Sequence, residues 1–106
     1  MNNKRFKLGG IVSSGKSQAI GKRVKFLNND IAYIGQDDSF NLKNHTGTIV
    51  DWDWTYFQDT LFIQLDNGVD LLDNWNNVLQ LDLNHHRNTK VYLYKRPYAI
   101  QSRYQY

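Results

Sequence analysis

Leu61-Phe62-Ile63-Gln64-Leu65-Asp66-Asn67-Gly68-Val69 is the stretch that decides the fold. Leu61, Ile63 and Leu65 recur at every second position, the period of a strand with one buried face. The run ends on Asn67-Gly68, a pair suited to a type I′ turn because both central residues of that turn take positive φ. The stretch therefore predicts a strand entering a tight hairpin, with Val69-Asp70-Leu71-Leu72 as the returning strand.

The same period extends outward on both sides. Arg23-Val24-Lys25-Phe26-Leu27 alternates polar and apolar residues, and Gly47-Thr48-Ile49-Val50-Asp51-Trp52-Asp53-Trp54 reads as a second strand. Residues 28–46, with Gly35, Asp37, Asp38 and Ser39, read as a long polar loop pinned by Ile31, Tyr33 and Ile34, and 55–60 as a turn. Asp73 to Asn77 reads as a single helical turn. Val78 to Leu83 reads as a strand, Asn84 to Thr89 as a turn and Val91-Tyr92-Leu93-Tyr94 as a further strand. The stretch Phe6 to Val12 is expected to pair with an edge of the sheet. Several short strands with polar turns indicate a mainly β, antiparallel barrel or sandwich. Its expected core contains Val24, Phe26, Ile49, Ile63, Leu65, Leu71 and Leu81.

Composition agrees. All ten acids are Asp, alanine occurs only at Ala19, Ala32 and Ala99, and the only proline is Pro97. Asp and Asn favour turns and caps, whereas the missing Glu and scarce Ala favour helices. A length of 106 residues allows one domain. The absence of cysteine excludes a disulfide scaffold and thiolate chemistry. No apolar run reaches the roughly 20 residues that span a bilayer, so the expectation is a cytoplasmic protein with no membrane contact.

Gly21-Lys22-Arg23-Val24-Lys25-Phe26, Gly47-Thr48-Ile49-Val50, Leu61 to Gly68 and Asn77-Val78-Leu79 together resemble an SH3-like small barrel of the KOW or Tudor type over about residues 20–83. In such barrels an opening strand leads to a Gly-x-Val strand, a hairpin, and a short helical turn before the closing strand. The resemblance implies an SH3-like antiparallel barrel at 21–83. Residues 1–20 would form a basic N-terminal extension, and 84–106 an added strand and a basic, Tyr-rich tail. It speaks to fold and not to function.

Three motifs invite a chemical reading. Gly10-Ile11-Val12-Ser13-Ser14-Gly15-Lys16-Ser17 fits the phosphate-loop pattern, but that loop follows a buried parallel strand and opens a helix. The preceding segment here is short and charged, so a Gly/Ser loop carrying a lysine is expected instead. His85-His86 with Asp82 supplies imidazoles without the fourth ligand of a structural zinc site, so no metal and no cofactor is expected. Asp51-Trp52-Asp53-Trp54 places two carboxylates on one strand face and two tryptophans on the other. Acid–base work needs a carboxyl whose pKa is raised, and nothing nearby provides the pocket.

The charge is segregated. Seven cations precede residue 28, residues 28–82 hold every Asp and only Lys43, and five cations follow. Five of the seven tyrosines lie in the C-terminal segment 90–106. Lys90, Lys95, Arg96 and Arg103 interleave there with Tyr94, Tyr98 and Tyr104, pairing phosphate-neutralising cations with stacking platforms. The leading expectation is a non-catalytic module for nucleic acid or a nucleoprotein complex. Against it stand the acidic centre and the alternative that the tyrosines pack on the sheet. The second expectation is a protein-interaction factor or inhibitor, of the kind phage and mobile elements encode. It would dock on a host protein through Asp51, Trp52, Asp53, Trp54 and Tyr56. The run Gly47 to Trp52 is also loosely similar to a strand of plasmid-borne dihydrofolate reductases. Their Gln-Ile-Tyr motif is not matched, so catalysis is not expected.

Overall fold

A computed structural model of the chain describes residues 5–13, 15–33, 39–66 and 78–94. In chain order the elements are β1 (Arg5–Lys7), α1 (Leu8–Val12), α2 (Lys16–Ala19), β2 (Arg23–Phe26), β3 (Ile31–Tyr33), β4 (Ser39–Asn41), β5 (Thr46–Trp54), β6 (Asp59–Leu65), β7 (Val78–Asp82), α3 (Leu83–His86) and β8 (Lys90–Leu93). The chain is mainly β. Six strands form one antiparallel sheet in the order β1-β8-β2-β5-β6-β7, with β1 and β7 as its edges, and β3 pairs with β4 in a separate hairpin.

The period of two sets the core. Val24 lies opposite Gly47 and Leu93, Ile49 opposite Ile63, and Ile63 opposite Leu79. Leu61 faces both Trp52 and Leu81. Val24, Phe26, Ile49, Ile63, Leu65 and Leu81 are buried as the alternation required, while Leu71 lies outside the described residues. The register shifts between Ile49 and Asp51, so Val50 is an extra residue in β5 opposite an uninterrupted β6.

Within the N-terminal extension, residues 5–13 and 15–19 are built into the fold. Only Arg5–Lys7 pairs as an edge strand, with β8. The chain then turns into α1, whose Leu8, Ile11 and Val12 fall on one helical face and are buried, as is Ala19 of α2. Leu8 N donates to Thr89 O at 3.0 Å and Gly9 N to Arg87 O at 2.9 Å, which seats α1 on the segment after α3. The segment therefore closes one end of the core.

Two other expectations are corrected. The stretch 28–46 contains the β3–β4 hairpin, anchored by buried Ala32 and Leu42 and by Leu42 N donating to Asp30 O at 2.8 Å. The helical turn expected at 73–77 lies outside the described residues, and the stretch 83–89, expected as a strand end and a turn, opens with the one-turn helix Leu83–His86. Asp82 caps it by accepting from Asn84 N at 2.9 Å, and Leu83 anchors it in the core. Val78–Asp82 thus pairs with β6 as an edge, and Lys90–Leu93 is an internal strand between β1 and β2. The Asn67-Gly68 turn and the strand expected at 69–72 lie outside the described residues; along Thr60–Gln64 the neighbour of β6 opposite β5 is β7.

Candidate nucleic-acid interface

Strand pairing brings cations from three separated segments to one outer face. Lys7 lies opposite Lys90, and Tyr92 lies between Arg5 on one side and Lys25 on the other. Residues paired in register share a face, and their inner-facing neighbours Val24, Phe26 and Val91 are fully buried. Arg5, Lys7, Lys25 and Lys90 have no ion-pair partner among the described residues. Four lysine and arginine charges held this close repel one another until an anion arrives.

Two half-buried tyrosines sit among them. The rings of Tyr92 and Tyr94 meet edge to face, with centroids 5.0 Å apart. Tyr94 is fixed at the end of β8, its N–H donating to Arg23 O at 3.0 Å, and the Arg23 guanidinium lies 5.8 Å from its ring centre. Arg23 also grips Asp66 with two bonds of 2.7 Å each, while Thr46 Oγ1 donates to Asp66 Oδ2 at 2.6 Å. The Asp66 carboxylate is therefore already committed to a cation.

The remaining sheet acids stand elsewhere. Asp51 shares a row with Phe62 and Gln80, and Asp53 shares one with Thr60 and Asp82, at the opposite end of β5 from Lys25. Three cations of the end segments pair with acids of the central one, Lys16 with Asp51, Arg23 with Asp66 and Arg87 with Asp59, and none of these acids reaches Arg5, Lys7, Lys25 or Lys90 as an ion pair. The basic face draws on Arg5, Lys7, Lys25 and Tyr92, none of which the sequence motifs singled out. Their signal was present in the polar positions of the alternating strands. Of the expected nucleic-acid residues, Lys90 is exposed and Tyr94 half-buried on this face. Lys95, Arg96, Tyr98, Arg103 and Tyr104 lie outside the described residues.

The acidic-aromatic set divides. Trp52 is half-buried against the core, and its Nε1–H donates to Asp59 Oδ1 at 2.6 Å. Trp54 and Tyr56 are 67% and 91% exposed, and Phe57 beside them is 84% exposed. Asp51 and Asp53 are exposed beside them. The backbone N–H of Trp52 donates to Asp51 Oδ1 at 2.8 Å and lowers the Asp51 pKa, against an opposing cost of burial and with Lys16 adding to the lowering. A carboxyl held ionised in this way is the reverse of a general acid.

Neither remaining motif forms its textual counterpart. Residues Gly10 to Val12 are part of α1, Lys16 opens a four-residue helix, and its Nζ lies 3.2 Å from Asp51 Oδ1. Every pair in the main sheet is antiparallel, so among the described residues no parallel strand feeds a phosphate loop. His85 Nδ1 is bonded to Asp82 Oδ2 at 3.0 Å, and His86 Nδ1 to Thr89 Oγ1 at 3.2 Å. The two rings border a groove of about 460 Å³ shared with Asp30, Tyr33 and Asp82. Among the described residues no group of three or more His or Asp side chains is placed to hold a metal ion. No helix there is long and apolar enough to cross a membrane. No family model, curated protein or solved structure matches the chain.

Proposed function

We propose that this protein is a non-catalytic nucleic-acid-binding module that takes single-stranded RNA or DNA across the face made by β1, β8 and β2. The observation that carries the reading is the Tyr92–Tyr94 ring pair framed by Arg5, Lys7, Lys25 and Lys90, with the Asp66 carboxylate tied to Arg23. Cations there would neutralise backbone phosphates and release counterions. The tyrosines would offer ring faces to bases regardless of sequence. Lys95, Arg96, Tyr98, Arg103 and Tyr104 follow Tyr94 directly in the chain and extend the same chemistry. The sheet order β8-β2-β5-β6-β7, with a hairpin in its first connection and a one-turn helix before β8, supports the SH3-like reading of the fold.

Fluorescence anisotropy with short single-stranded oligonucleotides across a salt series tests the proposal. Replacing Lys7, Lys25 and Lys90 together by Gln is expected to flatten the slope of log K against log salt by about 2, since each single-strand phosphate contact contributes about 0.7. Replacing Tyr94 by Leu is expected to weaken binding about tenfold or more without changing that slope, because stacking contributes on the order of 1–3 kcal/mol per base. Binding weaker than about millimolar to both RNA and DNA at low salt would overturn the reading, since nonspecific contacts alone commonly reach ~10⁻⁴ M or tighter.

A further inference from the structure

The hairpin joining β5 and β6 presents three large aromatics to solvent: Trp54, Tyr56 and Phe57, each more than half exposed. The turn that carries them is ordered. Thr55 N donates to Gln58 O at 2.6 Å, Gln58 N donates to Thr55 Oγ1 at 2.9 Å, and the Tyr56 and Phe57 rings meet edge to face at 4.9 Å. Aromatics held outward by a fixed turn are the usual content of an interface hot spot.

The charge around the tip selects the partner. Residues 51–60 contain no Lys or Arg; Asp51 is paired with Lys16, and exposed Asp53, next to Trp54 in the chain, has no ion-pair partner among the described residues. A phosphate backbone or an anionic bilayer is repelled there, whereas a surface of lysine, arginine and tyrosine is complementary through ion pairing and cation–π contact. The β1-β8-β2 face of the same protein is such a surface. The tip cannot reach it within one molecule: Lys25 pairs with Thr46 at one end of β5, and Trp54 stands eight residues along the strand, roughly 26 Å away. Tip-to-tip contact would instead bring Asp53 toward Asp53.

We infer that the Trp54–Tyr56–Phe57 tip of one molecule docks on the Arg5–Lys7–Lys25–Lys90 face of a second copy, giving a head-to-tail association. Each contact leaves a free tip at one end and a free basic face at the other, so association proceeds beyond a dimer. Three aromatic side chains bury about 450–750 Å². That is just short of the ~800 Å² per partner of a stable complex, so the contact is weak and reversible. The same face takes the proposed nucleic acid, so an oligonucleotide competes with self-association.

Sedimentation velocity of the full chain tests this. At low salt the weight-average sedimentation coefficient is expected to rise between about 10 μM and about 1 mM protein. The rise is expected to disappear near ~0.5 M salt, where the Debye length falls to a few ångströms. A tip variant (Trp54→Ser, Tyr56→Ser, Phe57→Ser) and a face variant (Lys7→Glu, Lys90→Glu) are each expected to stay monomeric. Their equimolar mixture is expected to form a dimer and nothing larger, because only one intact tip and one intact face remain to meet. A wild-type protein that is monomeric throughout would overturn the inference. So would a tip variant that associates like wild type, or a mixture of two folded variants that stays monomeric. No nucleic acid is present, so failure of oligonucleotide binding and failure of self-docking are read separately.

Discussion

Asp59 holds Trp52 and Arg87 at once: its Oδ1 accepts from the indole Nε1–H at 2.6 Å and its Oδ2 from Arg87 Nη2 at 2.5 Å. Asp59 is itself buried, at 8% exposure, and begins β6 opposite Trp54. The carboxylate thus joins the root of the β5–β6 hairpin to the segment after α3. Asp59→Ala removes both acceptors and leaves the indole N–H and the guanidinium without their partner. The expected loss is about 1–3 kcal/mol by urea denaturation. Asp59→Asn keeps one acceptor oxygen for Trp52, so its loss is expected to be the smaller of the two.

The Arg23–Asp66 pair depends on the shape of the guanidinium as well as its charge. Two parallel bonds of 2.7 Å, a third from Arg23 Nη1 to Thr48 Oγ1 at 3.0 Å, and side chains mostly shielded from water make it a fork that one ammonium cannot replace. Arg23→Lys is expected to destabilise the fold by about 1–2 kcal/mol despite preserving charge. Chemical denaturation at low and high salt gives the check. A bidentate geometric effect persists with salt, whereas simple charge attraction fades.

Gly47 sits in the core row between Val24 and Leu65. A Cβ there would lie 2.6 Å from the Gln64 carbonyl oxygen and 2.8 Å from Ile63 Cγ2. The first of these atoms is backbone in the adjacent strand, so strands β5 and β6 would have to separate. Gly47→Ala is expected to cost about 1–3 kcal/mol through overpacking, measurable as a lowered Tm. Gly10→Ala, where a Cβ meets nothing within 4 Å, serves as the control.

Stability is expected to fall below neutral pH because of His86. Burial pushes its pKa below the ordinary 6.5, with Asp30 and Asp82 pulling upward and His85 downward in smaller measure. Between the lowered folded value and 6.5, the unfolded chain holds the extra proton and the folded chain does not. Stability therefore declines as pH drops through that window and is fully present above it. Urea midpoints at about pH 7.5 and about pH 5 bracket the ordinary histidine titration. His86→Gln is expected to reduce the difference between them. Asp51 acts lower on the scale: its depressed pKa gives a contribution that holds above 3.8 and is lost as pH falls through the lowered value.

Strands with one buried face were legible in the sequence because their alternation is local. Val24 and Phe26, or Leu61, Ile63 and Leu65, declare their face within five residues. The N-terminal segment was harder. Phe6 and the basic residues beside it read as a strand, and Gly9-Gly10 masks the helical spacing of Leu8, Ile11 and Val12 that follows. The β3–β4 hairpin hid in a polar stretch because only Ala32 and Leu42 reach the core. Helix α3 fell where a strand end and a turn were expected, because the alternation of Val78 to Leu83 concealed the cap and anchor that Asp82 and Leu83 supply. The binding face was the least legible. Arg5, Lys25 and Tyr92 lie far apart in sequence, and only the antiparallel pairing of β1, β8 and β2 makes them neighbours.

Val50 carries a consequence out of proportion to its chemistry. Under uninterrupted alternation Asp51 and Asp53 would share the inward side of Ile49, and Trp52 and Trp54 would face water. The extra residue inverts that parity, so Asp51 lies opposite Phe62 on the outer side and Trp52 opposite Leu61 on the inner. The strand could therefore lose this residue without turning over: Val50→Thr keeps the bulge, and deleting Val50 removes it while Asp51 stays opposite Phe62 and Trp52 opposite Leu61. What the side chains do not tolerate is Val50 drawn into the regular ladder, which would turn both carboxylates inward and the indole away from Asp59.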